Sequence, residues 1–251
     1  MQIQRSPLWA LGFALVAAFG LRAAEQDDAK NIIDKAIKAR GGQEKLRKLK
    51  AVTMRLKGTI HSPGGDVPFT GEVVTQGADQ RRLALDAETN GTKFTFVQVL
   101  NGDKGWQKIN DDTQELNADQ LAEAKEEAYG SWVATLLPLD GKDFTLYSLG
   151  EVKVEDRPAI GVRASSKGHR DVNLYFDKEF SQLVKSETRV KDEESGMEVN
   201  QESTYSDFKE IDGIKEPSKI VVKKDGKPFV EATVEQVKRE EKVEDSIFVK
   251  P

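Results

Sequence analysis

From Ala51 onward the chain alternates. In the stretch 51–61, Val52, Met54, Leu56 and Ile60 fall on one parity, while Thr53, Arg55, Lys57 and Thr59 take the other. Successive side chains of a strand point to opposite faces, so this pattern describes a strand with one dry face and one wet face. The same period returns in run after run. Turn signals separate the runs, among them Ser62-Pro63-Gly64-Gly65, Asn90-Gly91, Asn101-Gly102, Ser166-Lys167-Gly168, Asp212-Gly213 and Asp225-Gly226. Connections this short join antiparallel neighbours, because parallel strands need a crossover of a dozen or more residues. An antiparallel sheet or barrel follows. Of the 251 residues, 37% are apolar and 32% charged, which suits a core one layer deep over a long sheet.

Two segments leave the strand period. In "DDAKNIIDKAIKARGG", Ala29, Ile32, Ile33, Ala36 and Ile37 line one face of a helix that Gly41-Gly42 stops. A short helical turn, "QEKLRKL", follows it. In "NADQLAEAKEEAYGSWVATLLPL", Asn117 and Gln120 form a capping-box pair. Leu121, Ala124, Ala128, Trp132 and Leu136 continue at helical spacing, with Gly130 as a candidate break and Pro138 as the stop. About five strands precede this insert and about seven follow, beginning with "FTLYSL" and "EVKVEDRPAIGVRAS" as separate runs and ending with the terminal "DSIFVKP".

The N-terminus has another character. Arg5 precedes an apolar run from Leu8 to Leu21, too short to span a bilayer comfortably and suited to a signal peptide. Cleavage after Gly20 or Ala24 gives a leader of residues 1–24 and a single domain of 25–251; an uncleaved anchor is the alternative. The chain has no cysteine, so it has neither disulfides nor an acylation site of the lipoprotein type. Its net charge of −5 is dispersed and argues against nucleic acid as a partner.

Catalytic signatures are missing. His61 and His169 are the two histidines, each beside a turn and without a metal-ligand neighbour at the usual spacing. There is no nucleophile elbow, phosphate loop or zinc-protease motif. The acidic runs "EEKVED" and "KDEESGMEV" do not follow calcium-loop spacing. No enzyme activity, cofactor or metal is expected.

The order of elements resembles the periplasmic lipoprotein-carrier family of the localisation factor A and B type. The phrases that carry the likeness are "ARGGQEKLRKLKAVTMRLKGTI", "VEDRPAIGVRAS" before "NLYFDKEFSQLVKSET", and "YSDFKEIDGIKEPSKIVV". The resemblance implies a mainly β fold with α. It would be a strongly curved antiparallel sheet, or incomplete barrel, of about 11–12 strands. The N-terminal helix and the central insert would cover its concave face. It further implies a soluble, monomeric periplasmic carrier. Its ligand would be a lipid or the acyl chains of a lipoprotein, and envelope membrane proteins would be partners. Candidate residues for an apolar cavity are Met54, Leu56, Phe69, Phe94, Phe96 and Trp106 from the first half. Leu121, Trp132, Leu136, Leu137, Tyr147 and Phe176 complete the set. The family also secures its lid with an internal arginine; Arg55, Arg82 and Arg163 lie in strands, and no motif separates them. The competing expectation is a structural or interaction module whose core is filled by side chains.

Overall fold

The computed structural model describes residues 12–251 except Leu49, Asn90, Glu193 and Glu194, and the side chains from residue 26 onward. The start of the proposed leader, residues 1–11, and the Asn90 half of the expected turn lie outside the described residues.

The first helix, α1, runs Gly12–Arg40, and α2 covers Gln43–Lys48. Six strands follow: β1 (Ala51–Ser62), β2 (Gly65–Gln76), β3 (Gln80–Thr89), β4 (Thr92–Asn101), β5 (Lys104–Ile109) and β6 (Asp112–Glu115). Helix α3 spans Ala118–Ala134. Seven strands complete the chain. They are β7 (Thr145–Val154), β8 (Arg157–Ser165), β9 (Val172–Asp177), β10 (Leu183–Lys191), β11 (Glu198–Ile211), β12 (Ile214–Lys224) and β13 (Lys227–Glu240). All thirteen form one antiparallel sheet in the order β6-β5-β4-β3-β2-β1-β13-β12-β11-β10-β9-β8-β7.

The sheet is open, and its two edges are consecutive in sequence. The segment between β6 and β7 is α3 with its 3₁₀ turn, Leu137–Asp140. This segment therefore links one edge to the other. Helix α3 packs on β4 and β5 and also on β9 and β10. Strands β4 and β10 stand seven steps apart, about 34 Å across a flat sheet. A helix of 17 residues is only about 26 Å long. One helix meets both sides because the sheet curls around it.

Local chemistry explains the elements. Gly41, at φ +146°, ends α1 where a Cβ would lie 2.6 Å from the carbonyl oxygen of Gly213, so the helix stops against the β11–β12 turn. Gly58 is needed for a different reason: its Cβ would fall 2.0 Å from the Glu231 carbonyl oxygen, beside the bulge where β1 shifts register on β13. At the start of α3, the Asn117 side chain accepts from the Gln120 amide, and the Gln120 side chain accepts from the Asn117 amide, both at 3.0 Å. Losing such a cap costs about 1 kcal/mol. Asn117→Ala is accordingly expected to lower the urea midpoint slightly with an unchanged slope; no shift would mean the cap contributes nothing.

Four expectations need correction. The sheet has thirteen strands rather than 11–12, because the short Asp112–Glu115 segment pairs with β5. "FTLYSL" and "EVKV" belong to one strand, β7, bent by a bulge between Ser148 and Gly150. Gly130 does not split the insert; α3 runs through it unbroken. The terminal "DSIFVKP" is no strand. Asp245–Phe248 forms a 3₁₀ turn that lays Phe248 and Val243 on the outer face of β1 and its neighbours, against Ala51, Val74 and Val99.

Candidate functional site

Strand register sorts the side chains into faces, since directly opposed residues of an antiparallel pair share one. Met54 stands beside Val73 and Val237, and Leu56 beside Gly71 and Val234. Val73 opposes Leu83, and Leu85 opposes Phe96. Phe69 opposes Ala87, which in turn opposes Phe94. On the other side of β13, Ala232 opposes Ile220, Ile220 opposes Tyr205, and Val222 opposes Ser203. Ser203 leads through Ser186 and Leu174 to Val162. All of these lie on one inner face, the face that α1 and α3 cover at Leu174 and Val162.

That face has a filled end and an open floor. Beneath the helices, Ile33, Val133, Leu136, Leu174, Phe176 and their neighbours form a closed cluster. A second cluster joins Leu100, Leu116, Ala124 and Ala128 under the start of α3. Farther along, Met54, Leu56, Val73, Leu83, Leu85 and Phe96 are only half-buried, and Phe94 and Ile109 are each 39% exposed. The two best-formed pockets are small, about 130 and about 60 Å³. The larger lies among Val154, Arg157, Asp177, Tyr205 and Phe208, and the smaller among Gln107, Ile109 and Glu115. Side chains pack beneath α3, and the half-buried inner face of β1–β4 forms a trough beside them.

The predicted residues divide accordingly. Met54, Leu56, Phe69, Phe94 and Phe96 share the inner face of the trough. Leu121 packs on the Leu100 cluster, while Leu136 and Phe176 are buried in the main cluster with Trp132 and Leu137 against it. Trp106 opposes Val99 and packs on the outer face under the C-terminal turn. Tyr147 opposes Arg163, points outward and is 45% exposed. Both lie on the outer face rather than among the expected cavity residues, since a one-residue difference in parity turns a strand's side chain over.

No family model matches the chain, and no curated protein matches it. Solved structures do. A Vibrio parahaemolyticus domain named for outer membrane lipoprotein sorting superposes with a TM-score of 0.57 at 9% identity, over 89% of this chain and 97% of that one. A LolA superfamily protein from Nitrosomonas europaea gives 0.55 at 16% identity, over 88% and 97%. The fold is LolA-like. A DUF1329 family protein from Desulfovibrio piger shares it as well, with a TM-score of 0.55 at 11% identity, over 88% and 97%.

In this LolA-like sheet, α3 is fastened on both sides. Lys125 pairs with Asp103 at 2.5 Å and Glu127 with Arg81 at 3.3 Å, both on the β3–β5 side. Across the opening, Glu126 meets His169 at 2.8 Å, and Glu123 takes the Arg170 guanidinium through two bonds of 2.7 and 2.8 Å. Exposed pairs of this kind contribute little each, about 0–1 kcal/mol, and the bidentate one more. His169 is more than a turn residue: its ring also stacks on Tyr129 at 3.9 Å. His61 pairs with Asp66 in the first hairpin at 2.7 Å.

The arginine that reaches the helix from the inner face is Arg81, which also donates to Gln98. Arg55 and Arg82 pair with Glu72 on the outer face, and Arg163 opposes Asn173 there. A deeper cluster anchors the other end of α3. Arg40 donates to the carbonyl oxygens of Ala134 and Thr135 and to Glu216. Glu216 in turn binds Arg239, and these two side chains are 6% and 8% exposed. Burial pulls the Arg239 guanidinium below its ordinary value, against the attraction of Glu216. Among the described residues, no group of three His, Cys, Asp or Glu side chains is placed to hold a metal.

Proposed function

We propose that this chain is an exported carrier that binds an apolar ligand, a lipid or the acyl chain of a lipoprotein, along the inner trough. The observation that carries the reading is the continuous, half-buried aliphatic floor of β1–β4, carried on by the buried Ala232 and Val234 of β13, on a curled sheet beside a helix fastened across the opening. A soluble protein seldom leaves such a surface uncovered without use for it. The inner face is about 25 Å long on β1. An acyl chain burying ten methylenes there would gain about 8 kcal/mol before the costs of association. The LolA-like fold and the named lipoprotein-sorting neighbour support the same reading. Residues 1–24 serve as the leader in this proposal, and residues 25–251 form the carrier. No described helix is long and apolar enough to cross a membrane.

Two measurements test this. The purified protein is expected to bind the neutral fluorophore N-phenylnaphthylamine and to release bound lipid in native mass spectrometry. Failure of both would leave the filled-core interaction module, the reading that the small pockets and the packing beneath α3 favour.

A further inference from the structure

The two sides of the inner face differ in kind. On β1–β4 the inward parity is mostly aliphatic and aromatic, with Arg81 and Gln98 at the end nearest α3. On β10 and β11 it carries Ser186, Thr188, Gln201, Ser203 and Tyr205, with the Val190–Val199 pair beyond them. The charges of those same two strands, Lys185, Glu187 and Glu202, sit on the opposite parity and pair with one another on the outside. A wall that avoids charge inward while concentrating it outward is a chemical choice, not general polarity.

The hydroxyls are arranged to act together. Ser186 Oγ and Tyr205 Oη share a hydrogen bond of 2.9 Å, and Ser203 stands directly opposite Ser186. Burial raises the Tyr205 phenol above its ordinary value, so it stays a neutral donor. Each hydroxyl keeps spare accepting or donating capacity beyond that bond. The Gln201 amide makes no side-chain hydrogen bond among the described residues and is half-buried. Among the described residues, three cations of the inward parity are already paired, while Lys227, opposite Lys224, lies exposed at the hairpin end. Arg81 is held by Glu127, Arg239 by Glu216, and Lys224, beside Gln201, by Asp192 at 3.6 Å.

Resting on the carrier reading, we propose that the trough selects neutral acylated molecules. The chain lies on the β1–β4 wall, and an uncharged ester or amide linkage meets the hydroxyl and amide wall of β10 and β11. An anionic head would lose its water there against hydroxyls and an amide, with Arg81, Arg239 and Lys224 already held by carboxylates, and a charge so poorly compensated is strongly disfavoured. A carbonyl oxygen, by contrast, accepts from Ser203, Tyr205 or Gln201 without a counter-ion.

The test is competition. N-phenylnaphthylamine bound to the full protein is displaced with monolauroylglycerol or with laurate at pH 8, which share one chain length and differ in the head. The glycerol ester is expected to compete at about tenfold lower concentration, the scale of one lost or unmatched hydrogen bond. In Ser186→Ala/Ser203→Ala, and separately in Gln201→Leu, the preference is expected to shrink to about twofold while affinity for the fluorophore holds. Laurate competing as well as the ester, or a preference untouched in both variants, overturns the selectivity and leaves the carrier. A wild-type protein that never binds the fluorophore overturns the carrier reading itself, and the selectivity with it.

Discussion

Replacing Glu216 with alanine is expected to be the most damaging single change in the molecule. Its carboxylate lies between Arg40 and Arg239, and all three side chains are largely removed from water. Without it, two guanidiniums of like charge face each other in a buried site. Removing one partner of a buried pair costs about 3–5 kcal/mol, because the remaining charge is left uncompensated. The melting temperature should fall by roughly 6–20 °C for a protein of this size. The loss should exceed that for any exposed α3 pair, such as Lys125 with Asp103. Calorimetry on Glu216→Ala and Lys125→Ala settles the order; equal small shifts would mean that water reaches the cluster and that it anchors nothing.

The second large effect is on binding. Leu56 sits mid-floor, flanked by Gly71 on β2 and Val234 on β13. Leu56→Glu puts a carboxylate where an apolar ligand would exclude water, at a cost of several kcal/mol to the complex. Affinity for the neutral fluorophore should drop by about a hundredfold or more. Stability should change little, because the free trough is partly open to solvent and the charge stays hydrated. A variant that binds as well as wild type would move the ligand off this wall. A variant that loses fold and binding together would show instead that the floor is sealed in the resting state.

The strand period was legible because it reports directly which face is dry. It puts Met54 and Leu56 on one parity of β1, and strand pairing carries that face across to Phe69, Phe94 and Phe96. The same rule distinguishes Arg81 from Arg82, since Arg81 shares parity with Leu83 and Leu85, the inward residues of β3. Trp106 and Tyr147 were misplaced because each lies in a strand whose parity local sequence leaves ambiguous. In β5 the run is short, and a large aromatic is equally at home under the C-terminal turn. In β7 the bulge after Ser148 shifts the count. The tail reads as a strand because the apolar run Ile247–Val249 is too short to show a period; the 3₁₀ turn that buries Phe248 on the outer face has no signal of its own. Filling beneath α3 could not be read at all, since it depends on how far the sheet curls, and curl is set by twist, bulges and packing rather than by any one residue.

The pairing of β1 with β13 has a consequence in time. Ala51 is bonded across to Glu240, so the first strand made and the last are neighbours in the middle of the sheet. Until the C-terminus is available, the meander from β1 to β6 exposes β1 as a bare edge, and the meander from β7 onward has nothing to join. Contacts this remote in sequence make folding slow, and an unpaired strand is the kind of template that draws in other chains. Completion of the sheet is thus a single late event, and the ends of the chain must be kept apart from strangers until they find each other.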